Sequence, residues 1–164
     1  MFRVIGPTVL LLSLFVTAPA TAQTVQSIDL QEYGIFDGQR AESGRGNSTN
    51  PDYAGLVLRT KTDRIPATLG VKFGVAYVPV GSPIGAPVKL SLVTRFPPAG
   101  ILDAAAKRHQ KEEIVKTAVI GSPSYRIFEF DAPWRILPGD WVFEFYSGNR
   151  KVGEKHFTVF DPKG

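Results

Sequence analysis

The chain has 164 residues and no cysteine, and its 19 Lys and Arg residues exceed its 15 Asp and Glu residues, for a formal net charge of +4. The lack of cysteine excludes disulfide bonds and a cysteine-linked lipid anchor. The charges are scattered along the chain, so the sequence has no basic stripe of the kind that nucleic acid binding needs.

Residues 1–22 have the organisation of a cleaved secretory signal. A positively charged start is followed by the apolar run Val9–Val16, and Ala20 and Ala22 are small residues at the two positions that a signal peptidase reads. The run is shorter than the roughly 18 residues that a membrane-spanning helix needs. We therefore expect cleavage between Ala22 and Gln23, a periplasmic or secreted bacterial protein, and no membrane span in the mature chain.

The mature chain, residues 23–164, is predicted to form one all-β domain. Apolar and polar side chains alternate with a period of two, and turns that contain Gly or Pro separate the alternating segments. The predicted strands are Ile28–Phe36, Leu56–Thr60, Val71–Val80, Val88–Arg95, Ile114–Ile120, Tyr125–Phe130, Trp141–Tyr146 and a last strand through Phe157 and Val159. This spacing favours an antiparallel β-sandwich of the immunoglobulin or fibronectin type III class, with about 7–9 strands, over a parallel α/β sheet.

Two segments carry no clear strand pattern. Residues 37–55 are rich in Gly, Ser, Asn and Arg and are predicted to form a long polar loop. Ile101–Glu113 is the one stretch with helical character, although it is too short to be a stable helix without packing.

The stretch from Trp134 to Phe160 organises the rest of the chain, since it holds a corner, a strand, a tight turn and a returning strand. Pro138 presets φ and Gly139 tolerates positive φ, which is turn chemistry. Trp141 alternates in phase with the phenylalanines after it, and we expect its ring in the core. Trp134 lies in the corner, where it either caps the open end of the sandwich or, if exposed, stacks on a sugar.

Several short motifs occur in the order of a known family. They are Tyr33-Gly34, Thr62-Asp63-Arg64-Ile65-Pro66-Ala67, Leu69-Gly70, Phe73-Gly74, Thr94-Arg95-Phe96-Pro97, Gly121, Trp134, Pro138-Gly139-Asp140-Trp141 and Phe157-Thr158-Val159. Over essentially the whole mature chain they resemble a bacterial family of exported single-domain proteins described as a domain of unknown function. The resemblance implies an extracytoplasmic immunoglobulin-like domain, and it supplies no substrate, cofactor or catalytic residue. The stretch Leu137–Trp141 also resembles a corner of fibronectin type III domains, which is a likeness of fold and not of function.

No arrangement of residues in the sequence indicates catalysis, and none indicates a metal or a cofactor. His109 and His156 are the only histidines, and without cysteine they fall short of the three or four ligands of a zinc or copper site. The Gly-x-Ser-x-Gly motif of a nucleophile elbow is absent. Glu112 and Glu113 are neighbours whose side chains point to different sides, which does not suit a pair of catalytic carboxylates.

Two further polar features have a structural interpretation that we favour. Asp63 and Asp140 each lie in a turn, where a carboxylate accepts a bond from a nearby backbone N–H. The basic run Lys107–Lys111 offers charge to an anionic partner, but such runs are usually exposed faces without a ligand.

The partner site is predicted on an outer face of the sandwich. If the apolar phase of three strands faces the core, the opposite phase faces outward. The outward residues are Gly74, Ala76, Val78, Val93, Arg95, Val142, Glu144 and Tyr146. The three strands can share one sheet, and monomers seldom leave such an apolar face uncovered. The alternative is that Ile101–Glu113 covers it, so the predicted partner site is whatever part of the face that segment leaves bare.

We therefore expect a non-enzymatic binding or accessory domain of the bacterial cell envelope, whose partner is another exported protein or an envelope component. The main alternative is a small exported hydrolase with an acid/base pair that the sequence does not reveal, and a third is a purely structural domain of an envelope assembly. An enzyme needs a concave pocket with convergent polar groups and shifted carboxyl pKa values. A binding domain needs an exposed apolar or aromatic patch.

Overall fold

The computed structural model describes residues 23–40 and 53–163, in which eleven strands form two larger sheets and a small hairpin. The strands are β1 (Thr24–Arg40), β2 (Tyr53–Lys61), β3 (Arg64–Pro66), β4 (Lys72–Ser82), β5 (Pro87–Arg95), β6 (Ile101–Leu102), β7 (Arg108–His109), β8 (Lys111–Val119), β9 (Ser124–Glu129), β10 (Gly139–Ser147) and β11 (Arg150–Phe160). A single turn of 3-10 helix, Pro133–Arg135, precedes β10. The described residues contain no helix with the length and apolar character that crossing a bilayer requires.

The two sheets have the order β2-β1-β4-β9 and β3-β11-β10-β5-β8. Neighbouring strands are antiparallel, except that β3 runs parallel to β11. The all-β sandwich prediction is confirmed. The strand predicted over Val71–Val80, which is apolar on both faces, is β4, and it lies between two neighbours in its sheet.

An aromatic cluster forms the centre of the core. The ring of Phe73 on β4 has its centroid 5.3–5.9 Å from those of Phe128, Phe130, Trp141, Phe143 and Phe157. Two of these pairs, with Trp141 and with Phe157, meet edge to face, an arrangement that aligns the positive edge of one ring with the negative face of another. The cluster joins β4 and β9 of one sheet to β10 and β11 of the other.

Trp141 lies in this core on the face that the alternation predicts. Its side chain is fully buried, and its Nε1–H donates to the carbonyl oxygen of Leu137 at 2.9 Å. That bond satisfies the polar atom of the indole, so the burial leaves no donor unpaired. Gly139, which begins the same strand, has φ of +130°, and a Cβ there would lie 2.9 Å from two side-chain atoms of Pro97. Glycine is therefore required at this turn.

The Ile-Pro motif lies in the short strand β3. Ile65 is fully buried there, and the N–H of Thr158 on β11 donates to the Asp63 carbonyl oxygen at 2.8 Å. The side chain that bonds within the turn is Thr62, whose Oγ1 accepts the N–H of Arg64 at 3.0 Å. The turn chemistry predicted for the Asp63 side chain is thus supplied by its neighbour.

The prediction that Ile101–Glu113 has helical character is wrong. The first residues of this segment form the hairpin β6–β7, and its last ones begin β8. The reason is Asp103, whose Oδ1 accepts the backbone N–H groups of Ala105 and Lys107 at 2.9 Å each. A side chain that bonds the backbone in this way competes with helix formation. Ile101 packs in the core, so the segment is not a lid on an outer sheet face.

The predicted single partner face is also wrong, because its three strands do not share a sheet. Strand β4 belongs to the four-stranded sheet, whereas β5 and β10 belong to the five-stranded sheet. The alternation with a period of two shows which side chains point to the core. It does not show to which of the two sheets a strand belongs, because strands of both sheets have the same alternation. The loop predicted over residues 37–55 is wrong at both ends, because β1 extends to Arg40 and β2 begins at Tyr53, while its middle, residues 41–52, lies outside the described residues.

We predict that Trp141→Ala lowers the free energy of unfolding by about 3–5 kcal/mol, as deletion of a large buried aromatic ring does. Trp134→Ala is the matched control, because that side chain is 48% exposed and its loss should change stability by less than about 1 kcal/mol. Urea denaturation of both variants measures the difference. Equal losses would contradict the placement of Trp141 in the core.

Candidate binding site

A cleft of about 760 Å³ opens between the facing edges of the two sheets. Its walls come from the edge strands β8 and β9, the hairpin β6–β7 and the 3-10 turn Pro133–Arg135, and we call it the edge cleft. Each of these edge strands pairs with only one other strand among the described residues. The volume falls within the range of about 300–1,000 Å³ that is usual for small-molecule sites.

Apolar side chains form part of the lining. Phe96, Ile101 and Phe128 are buried members of the core whose side chains reach the cleft. Trp134, on the 3-10 turn, also lines the cleft, but 48% of it remains exposed. Of the two alternatives predicted for Trp134, a cap on the sandwich or an exposed ring, the structure has the exposed ring.

Arg126 is the unusual residue of the cleft. It faces inward on β9, opposite Val75 in the sheet register, and is 2% exposed. Its Nη2 donates to Thr94 Oγ1 on β5 and to Glu112 Oε2 on β8, both at 2.8 Å. A buried charge is tolerated only when it is paired and hydrogen-bonded. These bonds tie the edge strand of one sheet to two strands of the other.

One donor of Arg126 has no partner. The Nε atom is buried and makes no hydrogen bond within the part of the chain that the structure describes. An unpaired buried donor costs about 1–3 kcal/mol, and native structures contain few of them. The guanidinium group is thus only partly satisfied by the protein around it.

A second arginine extends the network along the cleft. Arg135 contacts Glu112 at 3.6 Å and Asp131 at 3.0 Å, and its guanidinium lies 4.4 Å from the centroid of the Phe128 ring. Glu112 is consequently shared by Arg126 and Arg135. The sequence offers Glu112 and Glu113 as neighbours on different sides of the chain, and the structure places Glu112 on the inward side.

The hairpin that closes one end of the cleft is held by a hydrogen bond between two side chains. His109 Nε2 lies 2.8 Å from Asp103 Oδ2. The hydrogen bond with His109 and the backbone N–H of Lys107 lower the pKa of the Asp103 carboxyl below its ordinary value. His109 is therefore part of a latch on β7 and not a free side chain on a loop. Arg108, next to it, donates to the carbonyls of Ala99 and Gly100.

Two further ion pairs complete the walls. Glu129 on β9 contacts Lys72 at 3.2 Å and accepts a bond from the hydroxyl of Tyr53 at 3.0 Å. Lys111 and Glu113 on β8 lie 3.6 Å apart. Apart from Asp103, which bonds His109, each Asp, Glu, Lys and Arg side chain that lines the edge cleft therefore has an oppositely charged partner among the described residues.

Arg126 is a site residue that was not predicted from the sequence, although the sequence contains a signal for it. In the strand predicted over Tyr125–Phe130, Arg126 shares the inward phase with Phe128 and Phe130. A lone charge in an apolar phase indicates a buried ion pair or a ligand contact. The missing information was the identity of its partners, which lie far away in sequence on β5 and β8.

The residues of the predicted partner face lie elsewhere. In the five-stranded sheet, Glu144 is 6% exposed and is bonded by Arg95 Nε at 2.8 Å, by the Tyr146 hydroxyl at 3.2 Å and by Lys151 at 3.4 Å. Val93 beside it is buried and Val142 is half-buried. This outer face is thus closed by an ionic network of its own.

In the four-stranded sheet, Gly74 and Ala76 are buried and Val78 is half-buried. None of these residues lines the edge cleft. Partner binding at either outer face stays a prediction. Among the described residues, no group of three or more His, Asp or Glu is arranged to hold a metal ion.

Comparisons with known proteins agree with the fold. The family described as "Domain of unknown function (DUF3859)" matches residues 24–159. The crystal structure of an immunoglobulin-like protein from Pseudomonas aeruginosa has 27% sequence identity and a TM-score of 0.59, with 87% of this chain and 100% of that chain covered. The resemblance proposed from the motifs and the immunoglobulin-like fold are both confirmed.

A second solved structure shares less with the chain. It is an alkylpurine DNA glycosylase from Pseudomonas fluorescens, with 12% identity, a TM-score of 0.37, and coverage of 59% of this chain and 27% of that one. A likeness at this level carries no argument about function. The search of curated proteins finds no match.

We predict that Glu112→Gln lowers the free energy of unfolding by about 3 kcal/mol, because it leaves the buried guanidinium of Arg126 without its counter-charge. Glu113→Gln is the matched control on the outer face of the same strand. Its side chain is 46% exposed, and exposed pairs contribute less than about 1 kcal/mol. Urea denaturation compares the two variants, and a loss with Glu113→Gln as large as that with Glu112→Gln would contradict the role of Glu112.

Proposed function

The chain belongs to the DUF3859 family of domains of unknown function, and on that premise we propose that it is an exported, non-enzymatic binding domain whose ligand occupies the edge cleft. The observation that carries the proposal is Arg126, a buried cation with an unpaired Nε–H in the wall of a cleft that also presents an exposed tryptophan.

Stability alone is a poor reason for a buried arginine at this position. Replacing a buried ion pair by apolar residues of similar volume is often neutral or stabilising, because two charges no longer need to be desolvated. The aromatic core beside Arg126 already joins the two sheets. A polar group retained at such a cost is accounted for when it contacts a ligand.

Trp134 supports the same proposal. A large aromatic side chain that lines a concave surface, with 48% of it exposed, offers a flat apolar area for a ligand. The indole of Trp141, in contrast, is buried in the core and is not accessible to a ligand.

Binding fits the cleft better than hydrolysis does. A general acid at neutral pH needs a carboxyl with a raised pKa. Asp103, a carboxyl of the lining, has its pKa lowered by its bond with His109. The bond that causes this shift holds the hairpin β6–β7 at the end of the cleft, which is a positioning role.

The export part of the proposal rests on the first residues and on the extent of the family match, which begins at residue 24, just after the expected cleavage site. We expect protein purified from the periplasm or the medium to have the intact mass of a chain that begins at Gln23. Recovery of a chain that retains residues 1–22 would rule out cleavage there.

Binding in the cleft is tested by nuclear magnetic resonance on the mature protein, with the small-molecule fraction of a periplasmic extract as the probe. The indole N–H signal of Trp134 and the Nε–H signal of Arg126 should shift. The indole signal of Trp141 is the internal control, since its N–H is bonded to Leu137 in the core. Shifts elsewhere with an unmoved Trp134 signal would place the ligand outside the edge cleft.

A further inference from the structure

We propose that the ligand of the edge cleft is an uncharged oligosaccharide, an inference that rests on the binding role proposed above.

The charged side chains of the lining disfavour an anionic ligand. The lining holds five carboxylates but only three Lys or Arg side chains. Arg126 and Arg135 already share Glu112, and Lys111 is paired with Glu113. An anion that binds Arg126 or Arg135 would have to displace Glu112, which would leave that carboxylate without a counter-charge.

A cationic ligand meets the converse difficulty. Glu129 is held by Lys72 and by the Tyr53 hydroxyl, and Asp131 is held by Arg135. Because each of these carboxylates already has a counter-charge beside it, a cation would gain less from it than from an unpaired carboxylate. A ligand with no net charge can enter without breaking any ion pair.

The paired groups still have capacity for hydrogen bonds. A carboxylate has about four lone-pair sites and a guanidinium five N–H donors, more than their ion pairs use. Donors and acceptors consequently alternate along the wall from Arg126 to Asp131. A hydroxyl group both donates and accepts, so a polyhydroxylated molecule matches such a wall better than a ligand that only donates or only accepts.

The exposed indole supplies the apolar part of the site. One face of a sugar ring presents C–H groups, and these pack on the flat face of an aromatic ring. Trp134 lies on the same cleft wall as Arg135, its neighbour in the 3-10 turn. A sugar stacked on Trp134 would therefore have the guanidinium of Arg135 within the same site.

A peptide that adds to β9 as a strand fits less well. The carbonyl oxygen of Ile127 accepts a bond from Arg126 at 3.3 Å, and that of Tyr125 accepts one from Lys116 at 3.4 Å. Ile127 is 5% exposed. Charged side chains that occupy an edge in this way protect it from strand addition.

The test repeats the resonance experiment with the periplasmic fraction after two treatments. Periodate cleaves the carbon–carbon bonds of vicinal diols, and we expect it to abolish the shift of the Trp134 indole signal. Protease treatment should leave the shift intact. A shift that survives periodate, or one that protease removes, would overturn the oligosaccharide assignment while leaving the proposed binding function in place.

Defined probes test the absence of charge. Calorimetry with cellotetraose and maltotetraose, whose internal residues carry vicinal diols, should give binding by at least one of them, with an affinity that does not change between low and high salt. Tetragalacturonate is the charged comparison and should not bind. Binding of tetragalacturonate that weakens with salt, or no binding by any neutral probe, would overturn the inference.

Variants connect the binding to the cleft. Trp134→Ala should weaken the neutral probe about tenfold and Trp134→Phe by less, because a smaller ring retains part of the stacking surface. Ile84→Ala is the control, since Ile84 is 76% exposed and lies outside the cleft. If Trp134→Ala left the affinity unchanged, the assignment of this site would be wrong. If the untreated fraction shifts no cleft signal at all, the proposed function fails with it.

Discussion

The interaction on which the edge cleft depends is the pairing of Arg126 with Glu112 across the open side of the sandwich. Strands β8 and β9 are the last strands of their sheets, and each has one backbone neighbour among the described strands. The two bonds that Arg126 donates, to Thr94 and Glu112 at 2.8 Å, therefore connect sheets that no backbone hydrogen bond joins at this side. The width of the edge cleft is set by these side chains and not by a strand ladder.

The aromatic core makes this arrangement possible because it fixes the two sheets from within. Phe73 and Trp141 hold β4 against β10, with ring centroids 5.7 Å apart. Because the core fixes the two sheets, it also holds the edge strands β8 and β9 at a separation that the pair Arg126–Glu112 can span. In this sandwich the core provides the stability, and the residues at its margin are held in position for binding. Binding residues on a rigid scaffold are common in proteins.

The fold was largely predictable from the sequence, whereas the site was not. Alternation identified the core phase of β4, β5 and β10, because that signal is local and has a fixed period. It could not show that β4 and β5 lie in different sheets, which is why the predicted face was wrong. The possible helix failed for a local reason, the bonds from Asp103 to the backbone of its own turn. Arg126 stood out only as a charge in an apolar phase, and its partners are separated from it by 14 and 32 residues.

The sharing of Glu112 has a consequence for any ligand. Because one carboxylate contacts both Arg126 and Arg135, a cationic ligand that competes for Glu112 weakens the pairing of both arginines at once. Such a ligand would weaken the connection between β8 and β9 as it bound, and part of its binding free energy would be lost in opening the sandwich. A neutral ligand that uses only the spare donors and acceptors leaves the connection intact. The network that holds the cleft together therefore also selects what can enter it.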